Sequence, residues 1–272
     1  MKIDAKTKIC AIIGNPVEHS LSPAIHNAGY NALGLNFSYL AFRVTNLQDA
    51  ISGIRSLGIC GTSITVPHKT SVIQYLDEID KTAKVIGAVN TIVNENGKLV
   101  GYNTDLQGAI KALEEKITLK GKKVVLIGAG GAAFAIAFGL RRKGVNILIL
   151  NRDIEKAKTL ANQTDADFGD LSRLAEIKNS DILIHATPIG MNPQADVSIV
   201  PKEYLHKDLV VFDIVYNPKD TKLIQDAQNI GCQIVYGYKM LLYLSITQFE
   251  LFTKKKAPLA IMEKELLLCL DF

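Results

Sequence analysis

Short apolar runs alternate with longer amphipathic stretches along the whole chain. Residues 8–14 (KICAIIG) form an apolar run ending on glycine, the pattern of a buried strand. Ser22-Pro23 then opens a helix, with Ser in the N-cap place and Pro at the first helical position. Residues 37–44 alternate as a strand, 47–57 read as a helix and 59–66 as another strand. Residues 88–93 and 99–102 flank Asn96-Gly97, a hairpin signal, and 105–115 read as a helix. A second series starts at Lys122, where KKVVLIGAGGAA reads as strand, glycine-rich turn and helix start. VNILILN, DILIHAT, LVVFDIVY and CQIVY follow as strands, with helices over 154–162 and 219–229 and two closing helices over 240–252 and 257–268. Strands alternating with helices predict βαβ units, a mostly parallel sheet and the α/β class.

Composition narrows the function classes. The chain has 272 residues, enough for one large domain or two ordinary ones. Hydrophobic residues make up 48% and charged residues 21%, which argues against disorder and low-complexity architecture. No apolar stretch approaches the ~20 residues of a membrane span. The run at 9–13 lacks the core of a signal peptide, so a cytoplasmic protein with no membrane partner is expected. Net charge is only +4, and Lys254, Lys255 and Lys256 form the one basic run, read as a solvated helix end. That is too little for a nucleic-acid partner. Cys10, Cys60, Cys232 and Cys269 lie far apart without a C-x-x-C, so free thiols in a reducing compartment are expected. The five histidines show no ligand spacing, and no metal site is expected.

The glycine-rich turn carries chemistry. Gly128, Ala129, Gly130, Gly131, Ala132 and Ala133 follow the strand VVLI and open a helix. Gly128 permits the tight turn, Gly130 lets backbone approach a pyrophosphate, and Ala133 still allows close helix–strand packing. The helix N-terminus offers free N–H groups and a positive dipole to phosphate. The next strand ends at Leu150, and Asn151-Arg152 follow where an NAD-preferring site usually has an acidic residue. A guanidinium there pairs with a 2′-phosphate, and Lys156 adds a second cation. Asp153 pulls the other way. Two cations against one anion favour NADP over NAD.

Several strings together resemble one family. In order they are GNPVEHSLSPAIHN (14–27), TVPHK (65–69), GAVNT (87–91), GYNTD (101–105), ATPIGM (186–191), DIVYNP (213–218), and Met240-Leu241-Leu242 with Phe249-Glu250-Leu251. The chain resembles the shikimate dehydrogenases over nearly its whole length. The resemblance implies an N-terminal α/β substrate domain over 1–104, completed by C-terminal helices over 240–272, and a Rossmann-like NADP domain over 105–239, with the active site in the cleft between them. It implies NADP-dependent reversible reduction of 3-dehydroshikimate to shikimate, a step of aromatic amino-acid biosynthesis. The partner is then a small-molecule substrate, and a homodimer is compatible. Ser20 and Ser22 would hold the substrate carboxylate with help from Tyr216, and Ser22 would also serve as N-cap. Thr65 and Asn90 would bind ring hydroxyls or help hold the carboxylate. Lys69 and Asp105 would carry the proton chemistry at the C3 oxygen, although an ordinary ion pair is the bland alternative. His68 invites a general-base reading, but neighbours on an extended segment point to opposite faces. Thr187, Met191, Ile214 and Gly237 would complete the cofactor pocket, and Met240 either joins them or is plain core.

Four positions depart from the family's usual residues. Ser63 stands where Asn is typical, His185 replaces Asn, Lys239 replaces Gly, and Leu244 stands where a substrate-binding Gln is expected. His185 reads as structural, with a local partner. Leu cannot bond a hydroxyl, and Gln248, one turn along the same helical face, is the available substitute. Quinate or another cyclic hydroxy acid therefore stays open as substrate, with NADP or NAD, and an idle metabolite-binding protein is the alternative of another class. Retention of both Lys69 and Asp105 argues against idleness.

Overall fold

The run KICAIIG forms β1 (Lys8–Gly14), and its last five residues are buried. The computed structural model describes residues 3–270. Helix α1 (Ser22–Ala32) follows with Pro23 in its first turn. Its N-cap is Leu21, with no side-chain cap hydrogen bond, so the N-cap reading of Ser22 is corrected: Ser22 is the first helical residue. Next come β2 (Phe37–Arg43), α2 (Leu47–Ser56) and β3 (Gly61–Ile64). Strand β4 (Glu78–Ile79) and helix α3 (Lys81–Ile86) were not legible beforehand, being too short to show a period. Asp80 caps α3, accepting from Thr82 N and Ala83 N. The hairpin β5 (Thr91–Glu95) and β6 (Lys98–Tyr102) turns at Asn96 and Gly97 with φ of 55° and 94°. Two residues at positive φ are what the twist of a two-residue hairpin loop requires.

The remaining elements are α4 (Asp105–Glu114), β7 (Lys123–Ile127), α5 (Gly131–Arg142), β8 (Asn146–Leu150), α6 (Ile154–Thr164) and β9 (Asp167–Gly169). After these come β10 (Ile182–His185), β11 (Val210–Asp213), α7 (Lys222–Ile230), β12 (Gln233–Tyr236), α8 (Gly237–Thr253) and α9 (Leu259–Leu270). Among the described residues no helix is long and apolar enough to cross a membrane.

Residue contacts divide the chain into two units. One runs to Thr104 and resumes at Leu244, and the other spans Asp105–Tyr243, so the division falls inside α8. The first unit holds a mixed sheet in the order β2-β1-β3-β5-β6-β4. Pairings β1–β2, β1–β3 and β4–β6 are parallel, and β3–β5 and β5–β6 are antiparallel. Against it lies an aromatic cluster: His26 stacks on Tyr39 at 4.3 Å between centroids, and Tyr30, Phe249 and Phe252 surround them. Two glycines make that packing close. A Cβ on Gly61 would overlap the Phe252 ring, and one on Gly29 would come within 2.8 Å of Phe249. Cys10 lies in β1 opposite Gly61, and Cys60 precedes it on the neighbouring strand. Burial pushes the Cys10 thiol up, while its hydrogen bond to Cys60 pulls the Cys60 thiol down.

The second unit holds an all-parallel sheet in the order β12-β11-β10-β7-β8-β9. Read from β9, this is the doubly wound order 3-2-1-4-5-6, which reverses direction between its first and fourth strands. Its core includes Val125, Ile127, Leu183, Val211 and Ile224. Lys239, at a departure from the family, pairs with Glu115 at 3.2 Å, and Tyr243 hydrogen-bonds the same carboxylate.

Candidate functional site

The second unit carries its candidate site at the carboxyl ends of β7, β8 and β10, where the strand order reverses. A cavity of about 720 Å³ opens there, within the usual range for small-molecule sites. Gly128, Ala129, Gly130, Asn151, Arg152, Lys156 and Thr187 all line it, seven of the predicted cofactor residues in one place. Gly128 sits at φ 120°, and a Cβ there would come within 2.6 Å of the Ala186 carbonyl oxygen, so only glycine closes this turn. A Cβ on Gly130 or Gly131 would meet nothing within 4 Å, which leaves the start of α5 open to a ligand. Asp153 faces the cavity too, but its carboxylate caps α6, accepting from Glu155 N and Lys156 N. Its Oδ2 is 3.6 Å from Lys156 Nζ. Arg152 is exposed and, among the described residues, makes no side-chain hydrogen bond or ion pair. Open backbone donors and a guanidinium at the end of β8 fit a dinucleotide carrying an extra phosphate.

Five predicted cofactor residues lie outside the cavity lining. Gly131 and Ala132 form the first turn of α5. Met191 lines a separate depression of about 270 Å³ with Asn192 and Gln194. Gly237 packs against the backbone of Ile214 and Val215, its Cβ position 2.5 Å from both carbonyl oxygens, so Gly237 and Ile214 do come together. Sequence reasoning missed the apolar wall of Leu171, Ile189 and Ile199. Of these only Ile189 stood inside a recognisable string; Leu171 opens a 3₁₀ helix over Leu171–Asn179 and Ile199 lies in a loop, and neither was legible from a period.

His185 has the local partner expected of it. Its Nδ1 donates to Asp213 Oδ1 at 3.0 Å, and its Nε2 meets the Thr187 hydroxyl. Asp213 also accepts from Val215 N at 3.1 Å and from the Thr221 hydroxyl at 2.7 Å. A carboxylate holding three donors fixes the imidazole, and the imidazole fixes the hydroxyl on the cavity wall.

In the first unit, the predicted substrate residues gather where β1 and β3 end and β5 begins. Asn15 N donates to Val66 O, and Val89 N to Lys69 O at 2.8 Å, so the loop after β1, the TVPHK segment and the approach to β5 are tied by backbone. Gly14 allows this, since a Cβ there would overlap the Thr65 methyl. Thr65 and Lys69 are half-buried. Ser22 N lies 3.3 Å from Ser20 Oγ, and Ser22 itself is only 3% exposed. His68 is buried with its ring on the Val44 carbonyl at 2.9 Å, a structural engagement. Asn90 is 2% exposed, and its side-chain oxygen accepts from the Thr91 hydroxyl and from Thr104 N, both at 2.8 Å. Two predicted residues belong to the second unit: Asp105, 4% exposed in the first turn of α4, and Tyr216, whose hydroxyl burial pushes up.

Gln248, the available substitute for the missing Gln, has its amide engaged within the first unit. It is 2% exposed, and its carboxamide lies between the Ser63 and Thr91 hydroxyls, each at 2.9 Å.

A doubly wound sheet with an open glycine turn and a cationic rim defines a nucleotide-dependent protein of Rossmann type. The family model "Shikimate dehydrogenase substrate binding domain" matches residues 12–92, and "Shikimate / quinate 5-dehydrogenase" matches 111–232. A protein of Methanobrevibacter smithii named shikimate dehydrogenase (NADP(+)) is 48% identical, over 99% of both chains. A crystal structure of a shikimate dehydrogenase in complex with NADP+ superposes with a TM-score of 0.93 at 44% identity, covering 98% of this chain and 96% of that one. The Listeria monocytogenes shikimate 5-dehydrogenase in complex with shikimate and NAD gives 0.91 at 34% identity, covering 97% and 98%. The chain belongs to the shikimate dehydrogenase family.

Proposed function

We propose that the protein is an NADP-dependent shikimate dehydrogenase, interconverting shikimate and 3-dehydroshikimate. The observation that carries this reading is the cavity at the glycine turn with Arg152 and Lys156 on its wall, in a chain so similar to a relative of that name. Bound NADP supplies the hydride acceptor or donor. The open start of α5 holds the diphosphate through Gly130, Gly131 and Ala132, and Arg152 with Lys156 holds the 2′-phosphate. Thr187, Met191, Ile214 and Gly237 serve the nicotinamide end. Ser20, Ser22 and Tyr216 hold the substrate carboxylate, and Thr65 and Asn90 take ring hydroxyls. As the alcohol is oxidised, Lys69 and Asp105 take the proton from the C3 oxygen; in reduction they return it, and the Lys69 ammonium steadies the developing oxyanion. A homodimer and a cytoplasmic location go with this reading, tested by light scattering and cell fractionation.

A panel of shikimate and quinate with NADP and NAD, followed by cofactor absorbance, tests the function. Shikimate with NADP should give the highest kcat/KM. A preference for quinate, or for NAD, overturns the corresponding half of the proposal.

A further inference from the structure

Gln248 belongs to a chain of buried hydrogen bonds whose direction is set by its members. The Tyr39 hydroxyl donates to Ser63 Oγ at 2.6 Å, and the Ser63 hydroxyl donates to Gln248 Oε1 at 2.9 Å. Gln248 Nε2 donates to Thr91 Oγ1 at 2.9 Å, and the Thr91 hydroxyl donates to Asn90 Oδ1 at 2.8 Å. Each hydroxyl has one proton to give. Ser63 gives its proton to Gln248 and so accepts from Tyr39; Thr91 accepts from Gln248 and gives its proton to Asn90 Oδ1 at 2.8 Å, a nearer acceptor than Thr104 Oγ1 at 3.3 Å. The Asn90 oxygen also receives Thr104 N–H at 2.8 Å, and the Thr104 hydroxyl lies beside both ends of the carboxamide, 3.2 Å from Oδ1 and 3.1 Å from Nδ2. Turning the Asn90 carboxamide round would aim an NH₂ group at two donors in a buried place, a mismatch that costs a lost hydrogen bond and a desolvated donor.

We infer that Gln248 is a positioning residue for substrate binding: through Thr91 it holds the Asn90 carboxamide with its oxygen turned inward, so that Asn90 meets a substrate oxygen as an N–H donor and not as an acceptor. The inference rests on the reading of Asn90 as a substrate residue. It also explains the departure at position 63. A serine hydroxyl is the right length to pass the chain from Tyr39 on β2 to Gln248 on α8, and Ser63 and Gln248 lie 185 positions apart in sequence. Both ends of the Gln248 amide are engaged inside the unit.

The test uses ¹⁵N-labelled full-length protein. The Asn90 side-chain NH₂ pair is assigned by its loss in Asn90→Asp. In Gln248→Met and in the near-isosteric Thr91→Val, this pair should shift and broaden without any ligand present. The same two variants should raise KM for shikimate about tenfold, with kcat within about threefold of wild type and NADP affinity unchanged. Thr91→Ser keeps the hydroxyl and should restore the wild-type signal and KM. A merely structural defect lowers the active fraction, and hence the apparent kcat, and leaves KM in place. Folded variants with an unchanged Asn90 signal and a KM within twofold of wild type overturn the inference. If the signal responds as expected but the wild type oxidises no shikimate, the proposed function fails and the positioning of Asn90 stands.

Discussion

The two units treat buried polarity in opposite ways. The first threads a chain of neutral hydrogen bonds from Tyr39 through Ser63, Gln248 and Thr91 to Asn90, and also encloses His26, whose ring nitrogens have no hydrogen-bond partner. The second presents open backbone at Gly130 and Gly131 and leaves Arg152 and Lys156 exposed. Its buried hydrogen bond between His185 and Asp213 serves a single hydroxyl on the cavity wall. On the proposed function a small hydroxylated acid has to be told from its isomers, and pre-set carboxamides and hydroxyls suit that task because a wrong partner leaves a buried group unpaired. A phosphate needs only charge and N–H groups, so solvated cations and a helix terminus suffice.

The largest break in this contrast should come from the proposed proton-transfer residues. Lys69→Ala and Asp105→Asn should each lower turnover by roughly 10²–10⁴ with NADP binding nearly intact. Steady-state kinetics beside cofactor titration checks both halves, and retention of most shikimate oxidation in both variants removes the dyad.

Next in size is an acid weakness at His26 in the first unit. Burial holds His26 down at about 3, against an ordinary 6.5. The unfolded chain takes up a proton below pH 6.5 that the native ring refuses. Stability from this group is therefore complete above about 6.5 and falls by up to about 1.4 kcal/mol per pH unit between there and 3. Urea midpoints measured against pH should show that slope, and His26→Phe should flatten it. An equal slope in the variant would place the acid weakness elsewhere.

Arg152→Ala sharpens the comparison from the other side. A charged hydrogen bond to phosphate contributes ~1.5–3 kcal/mol, so the variant should lose about 10–150-fold in NADP affinity and much less in NAD affinity. Equal losses for the two cofactors would mean that Arg152 stacks on adenine or does nothing. The smallest effect is expected at Leu244, one turn before Gln248 on α8. Leu244→Gln should raise kcat/KM for shikimate about tenfold by giving a ring hydroxyl a partner. If the pocket is instead shaped for another hydroxy acid, the same change harms that substrate, and quinate kinetics in parallel tells the two apart.

Much of this was legible in the residues, and the reasons differ by element. Strands such as 8–14 and 123–127 announced themselves as apolar runs, and the glycine turn did so by its place between strand and helix. The start of α1 was legible but its cap was not, because Ser-Pro marks a boundary only to within a residue. Strands β4 and β9 are two and three residues long and carry no period at all. The partners of Gln248 were hidden for a related reason. Helical spacing shows which face a side chain takes, but the partners of Gln248 come from β3 and β5, far away in sequence. The partner of His185 was expected in kind, and its identity, Asp213, became visible only when β10 and β11 paired.

The cysteines in the first sheet have a use of their own. Cys10 has no exposed surface, whereas Cys60 beside it is partly exposed and has the more acidic thiol. A thiol-labelling reagent at neutral pH therefore finds Cys60 in the native protein and Cys10 only when β1 parts from β3. The ratio of the two labelling rates is a built-in clock for the opening of that strand pair, readable by mass spectrometry without any engineered probe.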